Sequence, residues 1–246
     1  MTGWVESVLL ASAPAAFARS AGWLTTGGAL AAVVVGACVL VGAGWPGAGA
    51  LLTFFVTSSL LTVYRKRVQG GTGARPRRWA QVLANGGVAA AAGLMLTAGD
   101  ERAWPAMLAS LASANADTWA TELGRLVGRS PRMVTTLRPV PSGTSGAVTL
   151  AGLVASAAGA GLVAAWGPSL LTVTAIGWCG ALFDSILGAT VQARFRCDSC
   201  GETVETSLHC GSPAAQVAGA RCVTNDAVNL LATLVAGIAG YLLVAP

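Results

Sequence analysis

The sequence predicts an all-α fold, a polytopic bundle of transmembrane helices that forms a single integral membrane domain over residues 1–246. Three observations lead to this prediction. Hydrophobic residues make up 54% of the chain, charged residues only 10%, and the mean hydropathy is +0.66, which lies outside the range of ordinary soluble domains. The 32 glycines, together with abundant alanine, suit helices that pack closely within a membrane. The apolar residues also fall into stretches of about 20, the length of a membrane span.

Seven clear spans follow one another along the chain. They are predicted at 24–43, 47–64, 80–98, 104–126, 146–166, 169–192 and 224–245. Upstream of them, residues 4–18 are apolar but short and interrupted by Pro14, so they form an eighth span, a re-entrant segment or an interfacial helix. A signal peptide is not expected here, because Glu6 lies at the start of the stretch and no basic residue precedes it.

The basic residues orient these spans in the membrane. If the seven spans alternate, fourteen of the fifteen basic residues lie on one side, and only Arg102 lies on the other. The positive-inside rule makes the basic side cytoplasmic, which predicts a protein of the cytoplasmic membrane with its polar loops facing the cytoplasm. The net charge of +5 therefore reflects the orientation of the spans in the membrane. Binding to nucleic acid is not expected, because the basic residues are divided among short loops.

Two carboxylates lie inside otherwise apolar stretches of a chain that has only ten acidic residues. Asp117 lies in the segment 107–124, and Asp184 in the segment 170–192. A carboxylate at membrane depth costs about 3 kcal/mol on insertion scales, so it usually faces the bundle interior or a water-filled cavity and has a function there. We therefore expect both carboxylates to belong to a functional site.

The other unusual polar residues lie in or beside the three cytoplasmic loops. The first loop runs through RKRVQGGTGARPRRWAQVLANG (65–86), the second ends in RPVPSGTSG (138–146), and the third begins near Asp184 and returns at Asn225. Helix ends, glycines and cations that converge in one aqueous mouth are typical of a phosphate and metal site. The candidate nucleotide- and phosphate-binding residues are Lys66, Gly70, Gly71, Arg75, Arg78, Gln81, Asn85, Thr118, Ser142, Gly143, Thr144, Gly146, Ser185, Gln192, Asn225 and Asn229.

The chemistry that needs these residue types is phosphoryl or nucleotidyl transfer. Mg²⁺ prefers hard oxygen ligands, so Asp117, Asp184 and Asp226 are its candidate ligands. We expect Asp117, Asp184 and Glu122 to be the catalytic acids, although Glu122 could instead hold an arginine. Each part also has a simpler interpretation: basic loops fix orientation and contact anionic lipid, and neither GGTG nor SGTSG matches the P-loop pattern.

The cysteine-bearing loop at 193–222 predicts a structural zinc site. Cys197, Cys200, His209 and Cys210 follow the spacing C-x₂-C-x₈-H-C. A reducing cytoplasm argues against a disulfide, and a structural zinc is closed by four nitrogen or sulfur ligands. Cys222 competes with His209 for the fourth position, and free thiols are the alternative to a metal.

Five motifs resemble, in order along the chain, those of an integral membrane family called domain of unknown function 92. They are the run GG-x₃-R followed by QVLANG, then ADTWATELG, TTLRPVPSGTSG, FDSILGATVQ and NDAVN. The family includes plant and cyanobacterial phytyl-phosphate kinases and animal transmembrane protein 19. The resemblance covers the chain from about Thr25 to Leu243. One position departs from it: Ser145 stands where family members usually have Asn, which keeps a polar side chain but loses the amide.

The resemblance implies a kinase that transfers a phosphoryl group from CTP or another nucleoside triphosphate to an isoprenyl monophosphate such as phytyl or geranylgeranyl phosphate. The isoprenyl chain would lie among the membrane lipids, and the Gly-rich face of 152–161 could leave a groove for it, with tight helix packing as the alternative. A cytidylyltransferase that forms a CDP-lipid would need the same metal and phosphate groups. A transporter without chemistry is the third hypothesis, although the sequence contains no evident repeat and its polar motifs gather at one face.

Overall fold

The computed structural model describes residues 3–70 and 75–245. This part of the chain forms seven helices and six short strands. They are α1 Trp4–Ser20, α2 Thr26–Val68, α3 Trp79–Thr97, α4 Ala103–Val127, β1 Arg132–Met133, β2 Ala147–Val148, α5 Leu150–Ala164, α6 Leu170–Thr190, β3 Arg194–Cys197, β4 Thr203–Val204, β5 Leu208–His209, β6 Ser212–Ala218 and α7 Asn225–Leu243.

Helix α2 is two helices joined at a sharp break. Gly44 has φ 59° and ψ −153°, a conformation that glycine adopts readily because it has no Cβ. A straight helix of 43 residues would be about 65 Å long. The ends of α2 are much closer than that, because Thr25 N–H donates to the Arg77 carbonyl at 3.1 Å, and the chain from 68 to 77 can reach only roughly 30 Å. The segments 26–43 and 45–68, called α2a and α2b below, therefore fold back on each other, in agreement with the two predicted spans.

Helix α4 is the centre of the bundle. Every residue from Ala103 to Ala116 is buried except the half-buried Trp104, and the helix packs against α2, α3, α5, α6 and α7. Asn115 fixes it to two neighbours, because its side-chain amide donates to the Gly159 carbonyl at 2.8 Å and its oxygen accepts from Ser58 at 3.0 Å. The buried segment ends just before Asp117.

Close helix contacts explain the high glycine content. A Cβ on Gly42 of α2a would lie 1.8 Å from the Gly93 carbonyl oxygen of α3. A Cβ on Gly159 would lie 2.7 Å from the Trp119 ring, and one on Gly152 would lie 2.9 Å from the Ala120 carbonyl oxygen. The face 152–161 is therefore packed against α4 at Gly152 and Gly159, which is the tight-packing alternative considered for it above.

Within the described residues, four helices are long and apolar enough to cross a membrane, namely α2, α3, α6 and α7. The mostly helical, membrane-type fold is thus confirmed, whereas these four helices, or five with α2 counted as two, are fewer than the seven spans predicted, and α5 has only 15 residues. Two further details differ from the sequence prediction. The helix expected over 146–166 begins only at Leu150, because Thr149 caps it by accepting the Gly152 N–H at 3.0 Å. The protein is also not all-α: β1 pairs with β2, and the loop after α6 forms a four-stranded sheet of order β4-β3-β6-β5.

Candidate functional site

Helix α6 brings its carboxylate to α4 through a face of small residues. Gly177, Gly180, Ala181, Asp184 and Gly188 are all buried and follow helical spacing. A Cβ on Gly177 would lie 2.9 Å from a backbone carbon of α4. This close approach places Asp184 on the face of α6 that faces α4, toward the end of α4 that carries Asp117.

Asp117 and Asp184 line one polar cavity of about 290 Å³. The cavity lies where residues 75–77, the loop 128–149 and the loop after α6 meet. Most of the residues predicted for the site line it: Arg75, Gln81, Asn85, Asp117, Thr118, Glu122, Ser142, Gly143, Thr144, Gly146, Asp184, Ser185, Gln192, Asn225 and Asn229. Motifs that are far apart in sequence are thus brought together.

The cavity wall contains buried polar atoms that lack a hydrogen-bond partner within the described chain. They are Asp184 Oδ2, Gln192 Nε2 and Asn229 Oδ1, and their residues come from α6, its following loop and α7. An unpartnered buried polar atom costs free energy, about 1–3 kcal/mol, and is uncommon in a folded protein. The three residues all line one cavity, so its wall is suited to pairing with water or a polar ligand.

Glu205 is a fourth carboxylate of the cavity, and it was not among the residues predicted from the sequence. It follows strand β4, lines the cavity and accepts a hydrogen bond from the Ser145 hydroxyl at 2.7 Å. This contact ties the sheet after α6 to the SGTSG loop. Because the two residues are 60 positions apart and neither lies in a periodic segment, no local pattern indicates that they meet.

Glu122 is committed to an ion pair. Its carboxylate contacts the Arg65 guanidinium and accepts a hydrogen bond from the Thr62 hydroxyl at 2.8 Å. The side chains of Glu122 and Arg65 are both largely buried. This arrangement corresponds to the alternative role considered for Glu122, in which it holds an arginine between α4 and α2b.

Three arginines, Arg75, Arg77 and Arg125, line the same cavity. Arg77 is held through its backbone, since its N–H donates to the Trp23 carbonyl at 2.8 Å. Its guanidinium lies 5.7 Å from the centre of the Phe54 ring and 5.4 Å from that of Phe55. Burial lowers the pKa of Arg77 to about 10, so the side chain remains a cation at neutral pH.

Some predicted residues lie outside the cavity lining, and Gly71 lies outside the described residues. Lys66 and Gly70 do not reach the cavity. Arg78 and Asp226 pair with each other at 3.3 Å, and the Arg78 side chain is 71% exposed. Asn225 and Asn229 face the cavity from one side of α7, whereas Asp226 is rotated from Asn225 by about 100° around the helix axis.

The cysteine loop forms a compact cluster of its own. One ligand atom from each of Cys197, Cys200, His209 and Cys210 lies within 4.8 Å of the others, and Cys222 is not in the group. His209 Nδ1 lies 3.3 Å from Cys210 Sγ and 3.5 Å from Cys200 Sγ. Hydrogen bonding from His209 lowers the pKa of Cys197 to about 6, whereas hydrogen bonding with the neighbouring thiols raises that of Cys210 to about 11.

Comparisons with known proteins identify the family. The family model described as integral membrane protein DUF92 matches residues 9–237. This chain belongs to the DUF92 family of integral membrane proteins. The match includes the whole cavity and the cysteine cluster.

Several relatives are similar over most of their length. Protein PGR of Arabidopsis thaliana is 33% identical over 229 residues, which cover 75% of this chain and 76% of the relative. An uncharacterized membrane protein of Methanocaldococcus jannaschii is 28% identical over 246 residues, covering 96% and 92%. Another from Synechocystis is 32% identical over 213 residues, covering 78% and 82%. No solved structure matches the chain.

Proposed function

We propose that this DUF92 protein is a membrane-embedded isoprenyl-monophosphate kinase, which transfers the γ-phosphoryl group of CTP or another nucleoside triphosphate to a lipid monophosphate. The observation that carries the proposal is the cavity itself. Carboxylates from two helices and a loop, three arginines and the glycine-bearing loop 142–146 surround one polar space at the loop end of the bundle. The resemblance to the phytyl-phosphate kinases of the family supplies the substrate class.

The carboxylates suit a magnesium site. Asp117 and Asp184 would hold the ion, with Glu205 in the place that the sequence analysis gave to Asp226. The unpartnered oxygens of Asp184 and Asn229 are hard ligands of the kind that Mg²⁺ prefers. When bound, the ion supplies charge neutralisation between the phosphate oxygens.

The arginines and loops would position the two substrates. Arg75, Arg77 and Arg125 neutralise phosphate oxygens, and the backbone N–H groups of the 142–146 loop can donate to them. An oxygen of the lipid monophosphate attacks the γ-phosphorus of the nucleotide. The new P–O bond forms as the bond between the γ-phosphorus and the β–γ bridging oxygen breaks, and the nucleoside diphosphate leaves. Such a transfer needs little covalent chemistry from the protein, so positioning and charge account for most of the rate.

The cysteine cluster would hold a structural zinc through Cys197, Cys200, His209 and Cys210. Four nitrogen and sulfur donors close a tetrahedral site, and their grouping within 4.8 Å leaves only a small contraction to the donor spacing of roughly 3.8 Å around zinc. The Cys197–Cys210 segment includes Glu205. A zinc ion there would therefore fix the strands that present Glu205 to the cavity.

We also propose that the protein crosses the cytoplasmic membrane eight times, with α1 and both halves of α2 as separate spans. The cavity and its basic loops then face the cytoplasm, where nucleoside triphosphates are found. The concentration of basic residues in those loops supports this orientation.

The test is incubation of detergent-purified protein with Mg²⁺, CTP and geranylgeranyl or phytyl monophosphate, with CDP and pyrophosphate followed separately. Release of CDP together with the isoprenyl diphosphate is the expected result. Pyrophosphate with a CDP-lipid would identify a cytidylyltransferase. The absence of both products, across several nucleotides and chain lengths, would overturn the enzyme proposal and favour binding or transport.

A further inference from the structure

A second cavity, of about 150 Å³, lies between α1, both halves of α2, and α3. Its wall is almost entirely apolar and includes Leu10, Ala11, Leu40, Ala48, Leu51 and Phe55. The polar side chains in this wall are Arg77, Gln81 and Asn85.

The two cavities share a wall. Arg77, Gln81 and Asn85 line the apolar cavity and also line the polar cavity that contains Asp117 and Asp184. Gln81 and Asn85 are four residues apart and therefore lie on one face of α3. Arg77 comes from the preceding loop, and its guanidinium sits beside the Phe54 and Phe55 rings. A charged group and a hydrocarbon chain of one molecule could thus occupy the two sides of this junction.

The apolar cavity reaches the surface of the helix bundle. Trp45 and Leu52 lie in its wall, yet they are 64% and 41% exposed on the surface of the bundle. Both belong to α2b, in which the apolar residues Val56 and Leu60 continue the exposed stripe. In a bilayer this stripe contacts lipid, so a chain can enter the cavity sideways from the hydrocarbon region.

We propose that the apolar cavity binds the first isoprene unit of the lipid substrate, while its phosphate lies against Arg77, Gln81 and Asn85 at the junction. This assignment rests on the proposed function, because it takes the isoprenyl monophosphate as the ligand. It places the phosphate on the carboxylate side, where the nucleotide and the metal would lie. Arg77 would then bind the phosphate headgroup of the lipid.

The size of the cavity determines how much of the chain it recognises. An engineered protein cavity of about 150 Å³ holds one benzene molecule, which has about the size of an isoprene unit. The remaining units must therefore extend past Trp45 and Leu52 into the bilayer. We expect recognition of the phosphate and the first unit, with little discrimination among chain lengths beyond it.

A photo-crosslinking experiment tests the site without requiring turnover. Full-length protein in nanodiscs is irradiated with a geranylgeranyl monophosphate analogue that carries a diazirine on its first isoprene unit, and labelled peptides are identified by mass spectrometry. Labels are expected on residues 10–15 of α1 and 48–55 of α2b. Unlabelled geranylgeranyl monophosphate should abolish them, whereas geranylgeraniol and phosphatidate should not. Labels on α5 or α6, or equal competition by the alcohol, would overturn the proposal.

A pair of substitutions provides the matched comparison. Ala32 lines the apolar cavity, and Ala32→Leu should fill it and reduce specific labelling at least fivefold. Ala91→Leu adds the same atoms to an exposed position of α3 outside both cavities and should leave labelling unchanged. Thermal unfolding of both variants checks that they remain folded. Equal labelling of Ala32→Leu and Ala91→Leu would contradict the assignment.

The two proposals can fail separately. If the wild-type protein is labelled as expected but releases no nucleoside diphosphate, the kinase proposal fails and the lipid site stands. If it phosphorylates the lipid but the label falls on other helices, the kinase stands and the lipid site is wrong.

Discussion

Asp117 and Asp184 are the residues on which the catalytic proposal depends. Replacing either with Asn keeps the size of the side chain but removes the charge that a metal ion needs. Mutation of a residue that only hydrogen-bonds to a metal ligand typically costs 10–100-fold in metal affinity or activity. We therefore expect the loss of a direct ligand to lower kcat by about 100-fold or more. Steady-state release of CDP at saturating Mg²⁺ measures this effect.

Asp226→Asn is the matched control for those two substitutions. Asp226 makes an exposed pair with Arg78 and does not line the cavity. Exposed pairs contribute about 0–1 kcal/mol, so this variant should keep its stability and most of its activity. If Asp226→Asn loses as much activity as Asp184→Asn, the metal ligands proposed from the structure are wrong.

Glu122 is expected to act on stability more than on chemistry. Removing one partner of a buried ion pair leaves the other charge uncompensated, which costs about 3–5 kcal/mol. Glu122→Gln should therefore lower the free energy of unfolding by about that amount, measured by thermal or denaturant unfolding in detergent. The double variant Arg65→Gln with Glu122→Gln should recover much of the loss. Additive losses would show that the two side chains are not coupled.

The contact between α2a and α3 can be tested at the scale of whole helices. A methyl group added at Gly42 would overlap the Gly93 carbonyl oxygen, so Gly42→Ala must push the helices apart. Overpacking of this kind costs about 1–3 kcal/mol. Gly87→Ala on α3 is the control, since a Cβ there meets nothing within 4 Å. It should be neutral or stabilising by up to about 1 kcal/mol because alanine favours the helix. Equal effects on thermal unfolding would argue against the tight contact.

The sheet after α6 should depend on zinc for its order. Cys200→Ser removes one of the four clustered donors, and we expect the purified variant to contain well under one zinc per chain by elemental analysis. Cys222→Ser is the control, because Cys222 is an exposed cysteine outside the cluster and its loss should leave the zinc content near one. Activity should fall in Cys200→Ser, since Glu205 lies between the cluster residues in sequence. Equal zinc content in the two variants would contradict the assignment.

At the scale of the whole molecule, the sequence was most informative where charge and hydrophobicity are organised by the membrane. It predicted the helical membrane fold, the division of 26–68 into two spans, and a common location for motifs far apart in sequence, including Asp117 and Asp184. It missed Glu205, because contacts within an irregular loop have no periodic signal. Of the three α7 residues predicted for the site, Asn225 and Asn229 line the cavity but Asp226 does not, since helix rotation depends on packing that a single span does not encode.

The number of spans is a further property of the whole molecule, and α1 decides it. Residues near the end of α1 contact the start of α2a, because Arg19 Nε donates to the Thr26 hydroxyl at 3.2 Å. Farther back, Ala11 packs against Gly36, so α1 runs antiparallel to α2a. Its 17 residues extend about 25 Å, close to the thickness of the hydrocarbon core. The first residues of α1 should therefore reach the side of the membrane opposite the cavity.

This arrangement predicts which positions are accessible from outside the cell. Gly3 and Glu101 are exposed and lie at the end of the bundle away from the cavity, so Gly3→Cys and Glu101→Cys should both react with a membrane-impermeant maleimide on intact cells. The wild-type protein serves as the control and should react only after permeabilisation, because Cys222, the exposed loop cysteine outside the zinc cluster, would face the cytoplasm. Reaction of Glu101→Cys but not of Gly3→Cys would make α1 an interfacial helix. Reaction of the wild-type loop cysteines on intact cells would reverse the orientation and separate the cavity from cytoplasmic nucleotides.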